Sequence, residues 1–217
     1  MAMASPSERG EDSASWHEIL ATALLVLTAV ATSWSSYQAT RWHGEQAVHA
    51  NRTSALRIQG ASAAALGEAE TQVDVATFIA WVDADQSKDQ QLADFYVDRF
   101  RPEFKTAFVA WQDTDPLTHP AAPPTPFAMP EYQVAHRVEA VRLNKAAEAS
   151  AVTVGLDIQR ASNYVLTVVL YAVVLFFAGM STKLRSRRLR SITVASGCAV
   201  LLFTLAWIAT FPVSVKV

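Results

Sequence analysis

The chain has 217 residues, 51% hydrophobic and 18% charged, with a mean hydropathy of +0.16, which suits one substantial domain plus a few membrane spans. Its net charge of −2 is unevenly spread: residues 37–161 hold 11 Lys/Arg against 16 Asp/Glu, whereas residues 181–191 hold five Lys/Arg and no acid. The acidic middle segment argues against the basic face that nucleic-acid binding needs, and the single cysteine, Cys198, excludes an intrachain disulfide or a thiolate metal site.

In chain order, residues 1–15 form a polar tail in which Arg9 is opposed by Glu8, Glu11 and Asp12. Between Glu18 and Arg41 lie 22 residues without formal charge, so residues 16–36 are expected to form a first transmembrane helix. Trp16 and Trp34 bracket it, at the depth amphipathic aromatics favour. The small residues "AVA" at 29–31 resemble a signal-peptidase site, but the segment lacks a positive n-region and Glu18 abuts its apolar core, so an uncleaved span is expected.

Residues 37–160 are rich in alanine and poor in strand signals. Val48, Ala55, Gln59, Ala63 and Leu66 recur at three- and four-residue steps and predict a narrow small-residue seam on a helix continuing from the first span, which Gly60 and Gly67 weaken and bend unless close packing uses their missing side chains. Val75, Phe78, Ile79 and Val82 predict a second apolar stripe, then Leu92, Phe95, Tyr96 and Phe100 a third, after a turn at "SKDQQ" with Ser87 as its cap. Asp83, Asp85 and Asp89 near that turn resemble a weak cation patch but lack the glycine and terminal glutamate of a Ca²⁺ loop, so a solvated turn is expected. Pro102 marks a kink or a new helix start, followed by Phe104, Phe108 and Trp111 at helical spacing. Residues 113–130 contain six prolines and form a long extended loop, for which Phe127 and Met129 are the expected anchors. Beyond it, Val134, Val138, Val141, Lys145, Glu148, Val152, Leu156 and Gln159 trace an uneven heptad seam on a helix that runs into the next span.

Arg160 to Lys183 encloses another 22 uncharged residues, and Arg190 to Lys216 encloses 25, giving transmembrane helices over 161–181 and 192–212. The short segment between them, 182–191, carries Lys183, Arg185, Arg187, Arg188 and Arg190, and a short, purely basic loop is expected on the cytoplasmic side. That places the N-terminus inside, residues 37–160 outside and residues 213–217 outside. The same five residues can contact anionic lipid headgroups. The spans hold no ionisable residue between their boundaries, which argues against a proton relay but leaves Thr22, Thr28, Thr32, Thr193, Ser196, Thr204 and Thr210 available to line a pore or to pack helices.

The segment "FRPEFKTAFVAWQDTDPLTHPAAPPTPFAMPEY", residues 100–132, together with "WSSYQATRW" at 34–42 and "FFAGMSTKLRSRR" at 176–188, resembles uncharacterised bacterial three-span integral membrane proteins. The resemblance implies a multi-pass protein of the bacterial inner (plasma) membrane with this span order, and it implies no activity. The reading as a whole is an all-α membrane protein with three transmembrane helices and an extracytoplasmic helical bundle inserted between spans one and two. Its expected role is a non-enzymatic binding, sensing or assembly module without a cofactor. Its expected partners are membrane lipids and either further copies of itself or another membrane or envelope protein. A homo-oligomeric channel is the alternative.

Overall fold

A computed structural model describes residues 16–116 and 118–214. The chain is helical, with no strand among the described residues. Its order is α1 (Trp16–Gln86), α2 (Gln90–Val97), α3 (Pro102–Gln112), a single 3₁₀ turn (Pro126–Ala128), α4 (Ala135–Lys183) and α5 (Arg187–Ile208). Three helices are long and apolar enough to cross a membrane: α1, α4 and α5. The chain divides into two compact units, one of residues 1–48 with 153–217 and one of residues 49–152. The tail 1–15 and the last residues, 215–217, lie outside the described residues.

In the first unit, Leu24 of α1, Tyr171, Val174 and Ala178 of α4, and Leu201 of α5 form one buried cluster. Gly197 lets α5 come close: a Cβ there would lie 3.0 Å from Leu24 Cδ2 and 3.4 Å from Phe177 Cβ. Val26, Leu27, Val30, Val169, Phe176, Leu202 and Phe203 point away from the chain, the outward apolar surface expected of helices solvated by lipid. Several threonine hydroxyls inside the spans bond within their own helices: Thr28 donates to Leu24 O, Thr32 to Thr28 O, Thr167 to Tyr164 O and Thr204 to Val200 O.

Polar contacts fasten both ends of this unit. At one end Arg190 Nη2 lies 3.2 Å from Glu18 Oε1, which puts the start of α1 beside the start of α5. At the other, Ser214 N donates to Gln38 Oε1 at 3.0 Å, while Tyr164 Oη and Trp42 Nε1 both donate to Pro212 O. There Ala39, Trp42, Ala161 and Tyr164 form a second buried cluster, and the Arg160 guanidinium sits 4.6 Å above the Trp42 ring while pairing with the buried Asp157. The "AVA" segment at 29–31 lies inside the unbroken helix α1.

The basic segment is shorter as a loop than its sequence suggests. Helix α4 ends at Lys183 and α5 begins at Arg187, so only 184–186 connect them. Of the five basic residues, Lys183 closes α4, Arg185, Arg187 and Arg188 are exposed, and Arg190 is held by Glu18.

In the second unit, α1 and α4 run antiparallel in close contact. A Cβ at Gly60 would lie 2.7 Å from Asn144 Oδ1, and one at Gly67 would lie 2.8 Å from Arg137 Cγ and 3.0 Å from its backbone nitrogen. Between them Ala63 packs with Ala140, Leu143 and Leu56, and Thr53 Oγ1 donates to Ser150 Oγ at 2.9 Å. The inward residues of α1 are therefore Thr53, Leu56, Gly60, Ala63, Gly67, Glu70 and Asp74, a strict three-four alternation in which Leu56 alone is large and apolar and the rest are small or polar. The helix runs unbroken through both glycines, because each is where the partner helix needs the missing side chain.

This corrects the phase of both expected seams. Of the α1 set, Val48 and Leu66 are exposed and only Ala63 is buried; of the α4 set, Val138, Val141, Val152 and Leu156 are exposed and Val134 alone is buried, while Ala140, Leu143 and Ala147 face inward. Backbones that approach this closely admit alanine and glycine and leave the valines outside. The turn after α1 is likewise closed by Lys88, in the left-handed region at φ 60°, and it is the Asp89 carboxylate, not Ser87, that caps α2 by accepting from Leu92 N. Pro102 occupies the first turn of α3, a new start rather than a kink.

Replacing Gly67 with alanine is expected to destabilise the chain by about 1–3 kcal/mol through the clash with Arg137, despite alanine's helix propensity. Gly44→Ala, with open space around the new methyl, is expected to stabilise by up to about 1 kcal/mol. Thermal unfolding of the solubilised protein, followed by helical circular dichroism, distinguishes the two.

Candidate functional site

Two features of the 49–152 unit stand out once its helices are placed: an aromatic core with a charged seam beside it, and a cavity at the ends of α1 and α3. The core gathers Phe100, Phe104, Phe108 and Trp111, with Phe78, Trp81, Tyr96, Val97, Phe127, Met129 and Tyr132 packed against it. Phe127 stacks on Phe104 with centroids 5.1 Å apart and meets Phe78 and Tyr132 edge-on. Trp111 Nε1 donates to Pro123 O at 2.8 Å. The proline-rich loop is thus bound to the core at Pro123, Phe127 and Met129. Of the expected stripes, Phe78, Tyr96 and Phe100 reach this core, whereas Val75, Ile79, Leu92 and Phe95 are exposed.

The charged seam centres on Asp74, whose side chain is 1% exposed. Arg101 Nη1 pairs with Asp74 Oδ2 at 3.0 Å and Tyr132 Oη donates to the same oxygen at 3.0 Å. Arg101 also lies 3.2 Å from Glu70 and 3.4 Å from Glu103, and Glu70 meets His136 Nδ1 at 2.9 Å. This network joins α1, α3 and α4. Burial pushes the Asp74 carboxyl above its ordinary value, against the lowering effect of Tyr132 and Arg101, and burial likewise raises the Tyr132 phenol.

The cavity, of about 360 Å³, is lined by Trp81, Val82, Asp85, Gln86, Trp111, Gln112, Asp115, Pro116 and Thr118. Trp81 and Trp111 meet at 84° with centroids 6.4 Å apart, so their rings form a corner. Asp115 sits in the left-handed region at φ 50°, and its carbonyl accepts from Thr118 N and His119 N, which shapes the wall facing α1. Neither Asp85 nor Asp115 forms a salt bridge among the described residues, and no Lys or Arg lines the cavity.

Reading the sequence for stripes captured Trp111 and Asp85 but assigned Trp111 to packing and Asp85 to a solvated turn. The missed signal is an internal repeat. "FIAWVDAD" at 78–85 and "FVAWQDTD" at 108–115 share Phe, Ala, Trp and both Asp at the same five positions. In each copy the phenylalanine enters the core while the tryptophan and the last aspartate line the cavity. Comparison with protein-family models, curated proteins and solved structures gives no match.

In the unfolded chain Asp74 titrates near 3.8. Because its folded value is higher, the folded chain holds that proton more firmly. The stability this contributes is full below the unfolded value and is lost as pH rises through the folded one. The stability advantage of wild type over Asp74→Asn should therefore grow as pH falls from 7 toward 4, with Glu70, Glu103, Tyr132 and His136 common to both proteins. Thermal unfolding across that range measures it; an advantage that shrinks on acidification would refute the assignment.

Proposed function

We propose that the chain is a non-enzymatic, membrane-anchored binding module of the bacterial inner membrane, whose 49–152 unit receives a small ligand in the Trp81–Trp111 cavity. The observation that carries this reading is the repeat itself. Two sequence-similar helix ends converge on one concavity, and each presents a tryptophan and an aspartate to it. Ligand sites are concave and mostly apolar, with a few fixed polar groups, and about 360 Å³ is at the small end of their range. The aromatic core and the Asp74–Arg101 pair brace both helices, and such bracing lowers the ordering cost of binding.

We infer the side of the membrane from the connection 184–186, which holds Arg185, and its flanking Lys183, Arg187, Arg188 and Arg190. Short basic segments stay cytoplasmic, and the Glu18–Arg190 pair supports placing the N-terminal end of α1 on the same side. The 49–152 unit, which is joined to the opposite ends of the first two spans, is then extracytoplasmic. The exposed Arg185, Arg187 and Arg188 are free to meet anionic headgroups. The span hydroxyls that bond their own helices favour packing over a hydroxyl-lined pore.

Single cysteines at Ser54, Ala122 and Ser186, in a Cys198→Ser background, are expected to react with an impermeant thiol reagent in intact cells at the first two positions only; labelling at Ser186 but not Ala122 would invert the topology. For binding, a thermal-shift panel of small cationic, neutral and anionic compounds is expected to raise the Tm of wild type with at least one class, and not that of Thr118→Trp, which fills the cavity from its exposed rim. No shift with any class, or equal shifts in both proteins, would sink the binding reading.

A further inference from the structure

The cavity has an electrostatic character that its packing does not require. Asp85 lies in the last turn of α1, and Asp115 follows the end of α3. A helix C-terminus carries about half a negative charge, so basic side chains are favoured there and acidic ones are not. Neither helix has a basic residue in its last turn. The repeat thus brings together two helix C-termini and two carboxylates, four sources of negative potential, with no salt bridge to neutralise either acid among the described residues. Both acids line one cavity without a basic partner although Lys88 is only three positions beyond Asp85. The missing counter-charge is the shape of the ligand.

The rest of the lining says what kind of cation fits. Carboxylates at a metal site want further oxygen or nitrogen ligands, and among the described residues no group of three or more His, Cys, Asp or Glu could hold a metal ion. The walls here are instead the two indole rings, set at a right angle, with Val82 and Pro116 beside them. An aromatic corner attracts an alkylated ammonium by its ring quadrupoles and its apolar surface together, whereas a small hydrated metal ion gains little from it. A phosphate beside the ammonium would be repelled by the carboxylates, which disfavours a phospholipid headgroup.

We propose that the Trp81–Trp111 cavity binds a small organic cation, a quaternary or heavily alkylated ammonium without an adjacent phosphate, with Trp81 and Trp111 against its methyl groups and Asp85 and Asp115 supplying the opposing charge. The proposal rests on the binding reading above and names its ligand class. Its test compares choline with 3,3-dimethylbutan-1-ol, which has the same shape and no charge, by tryptophan fluorescence titration of the full-length protein in detergent. Choline is expected to bind saturably and at least about tenfold more tightly than the neutral isostere. The Asp85→Asn/Asp115→Asn double variant is expected to bring the two to within about threefold, since asparagine keeps the shape and tolerates the left-handed backbone at 115. Its circular dichroism and its affinity for the isostere, both expected to match wild type, show that the fold and cavity persist.

Equal or tighter binding of the isostere overturns the cationic assignment while leaving a binding cavity. Saturable Ca²⁺ binding that the double variant abolishes, with no choline binding, overturns it in favour of a metal. Failure of choline, the isostere and every class in the panel overturns both the assignment and the binding reading.

Discussion

Close contact between α1 and α4 in the 49–152 unit depends on the choice of side chains: glycine and alanine stand at the points of closest approach, with Leu56 and Leu143 filling the space beside them. Gly60 and Gly67 of α1 face Asn144 and Arg137 of α4 at distances no β-carbon could occupy without displacing its neighbour. Ala63 and Ala140 fill the interval. Such an interface contributes little apolar area per residue, but the close approach of Gly67 to the Arg137 backbone and of Gly60 to Asn144 favours one register of the two helices. Register is what the rest of the unit needs, since Glu70, Asp74, Phe78 and Trp81 follow on the same face at the same spacing and must meet fixed partners on α3, α4 and the proline-rich loop.

Beyond the small-residue seam the two helices gain large partners and buried charge. Asp74 is nine-tenths or more removed from water, a position a carboxylate keeps only with compensating donors, and Arg101 and Tyr132 supply them. Because Arg101 precedes Pro102 at the start of α3, that ion pair also fixes where α3 begins, and therefore where Phe104, Phe108 and Trp111 sit. The proline loop then closes over the aromatic core through Phe127 and Met129, its ring-restricted backbone having less freedom to lose. The cavity at the far end of α1 and α3 inherits its geometry from this chain of contacts, which is why two short similar segments 30 residues apart in sequence can face one space.

Much of this was legible in the sequence, and the failures share one cause. Span number, the length of α4, the helix start at Pro102 and the inward face of Phe104, Phe108 and Trp111 follow from charge-free length, proline chemistry and the 3.6-residue period. The heptad spacing on α1 and α4 was also legible, but its phase was not. On α1 the seam was read as a small-residue one but in a phase that took in Val48 and Leu66, and ranking Val138, Val141 and Val152 as core on α4 assumes that large apolar side chains turn inward; where backbones meet through glycine and alanine, the valines stay outside. The same habit hid the site. A tryptophan at helical spacing is read as core, and an aspartate near a turn as solvated, so Trp111 and Asp85 were each assigned a bland role and Trp81 and Asp115 none, and only their repetition as Phe-x-Ala-Trp-x-Asp-x-Asp points to a shared one. Asp74 carries no such mark: nothing local distinguishes it, or the equally buried Asp157, from the many acids that are exposed.

The phase of the α1–α4 seam is the point at which the account is most exposed, and intrachain cross-linking tests it directly. In a Cys198→Ser background, cysteines at Ala63 and Ala140 are expected to oxidise readily to an intramolecular disulfide, seen as a mass loss of about two hydrogens and an unchanged monomer on gels, because both positions are buried in one cluster. The pair Leu66 and Val141, inward in a seam read from apolar size alone, is expected to remain reduced or to link only separate copies. Efficient intrachain linking of Leu66 with Val141, and none between Ala63 and Ala140, would contradict the small-residue seam and the register of every contact built upon it.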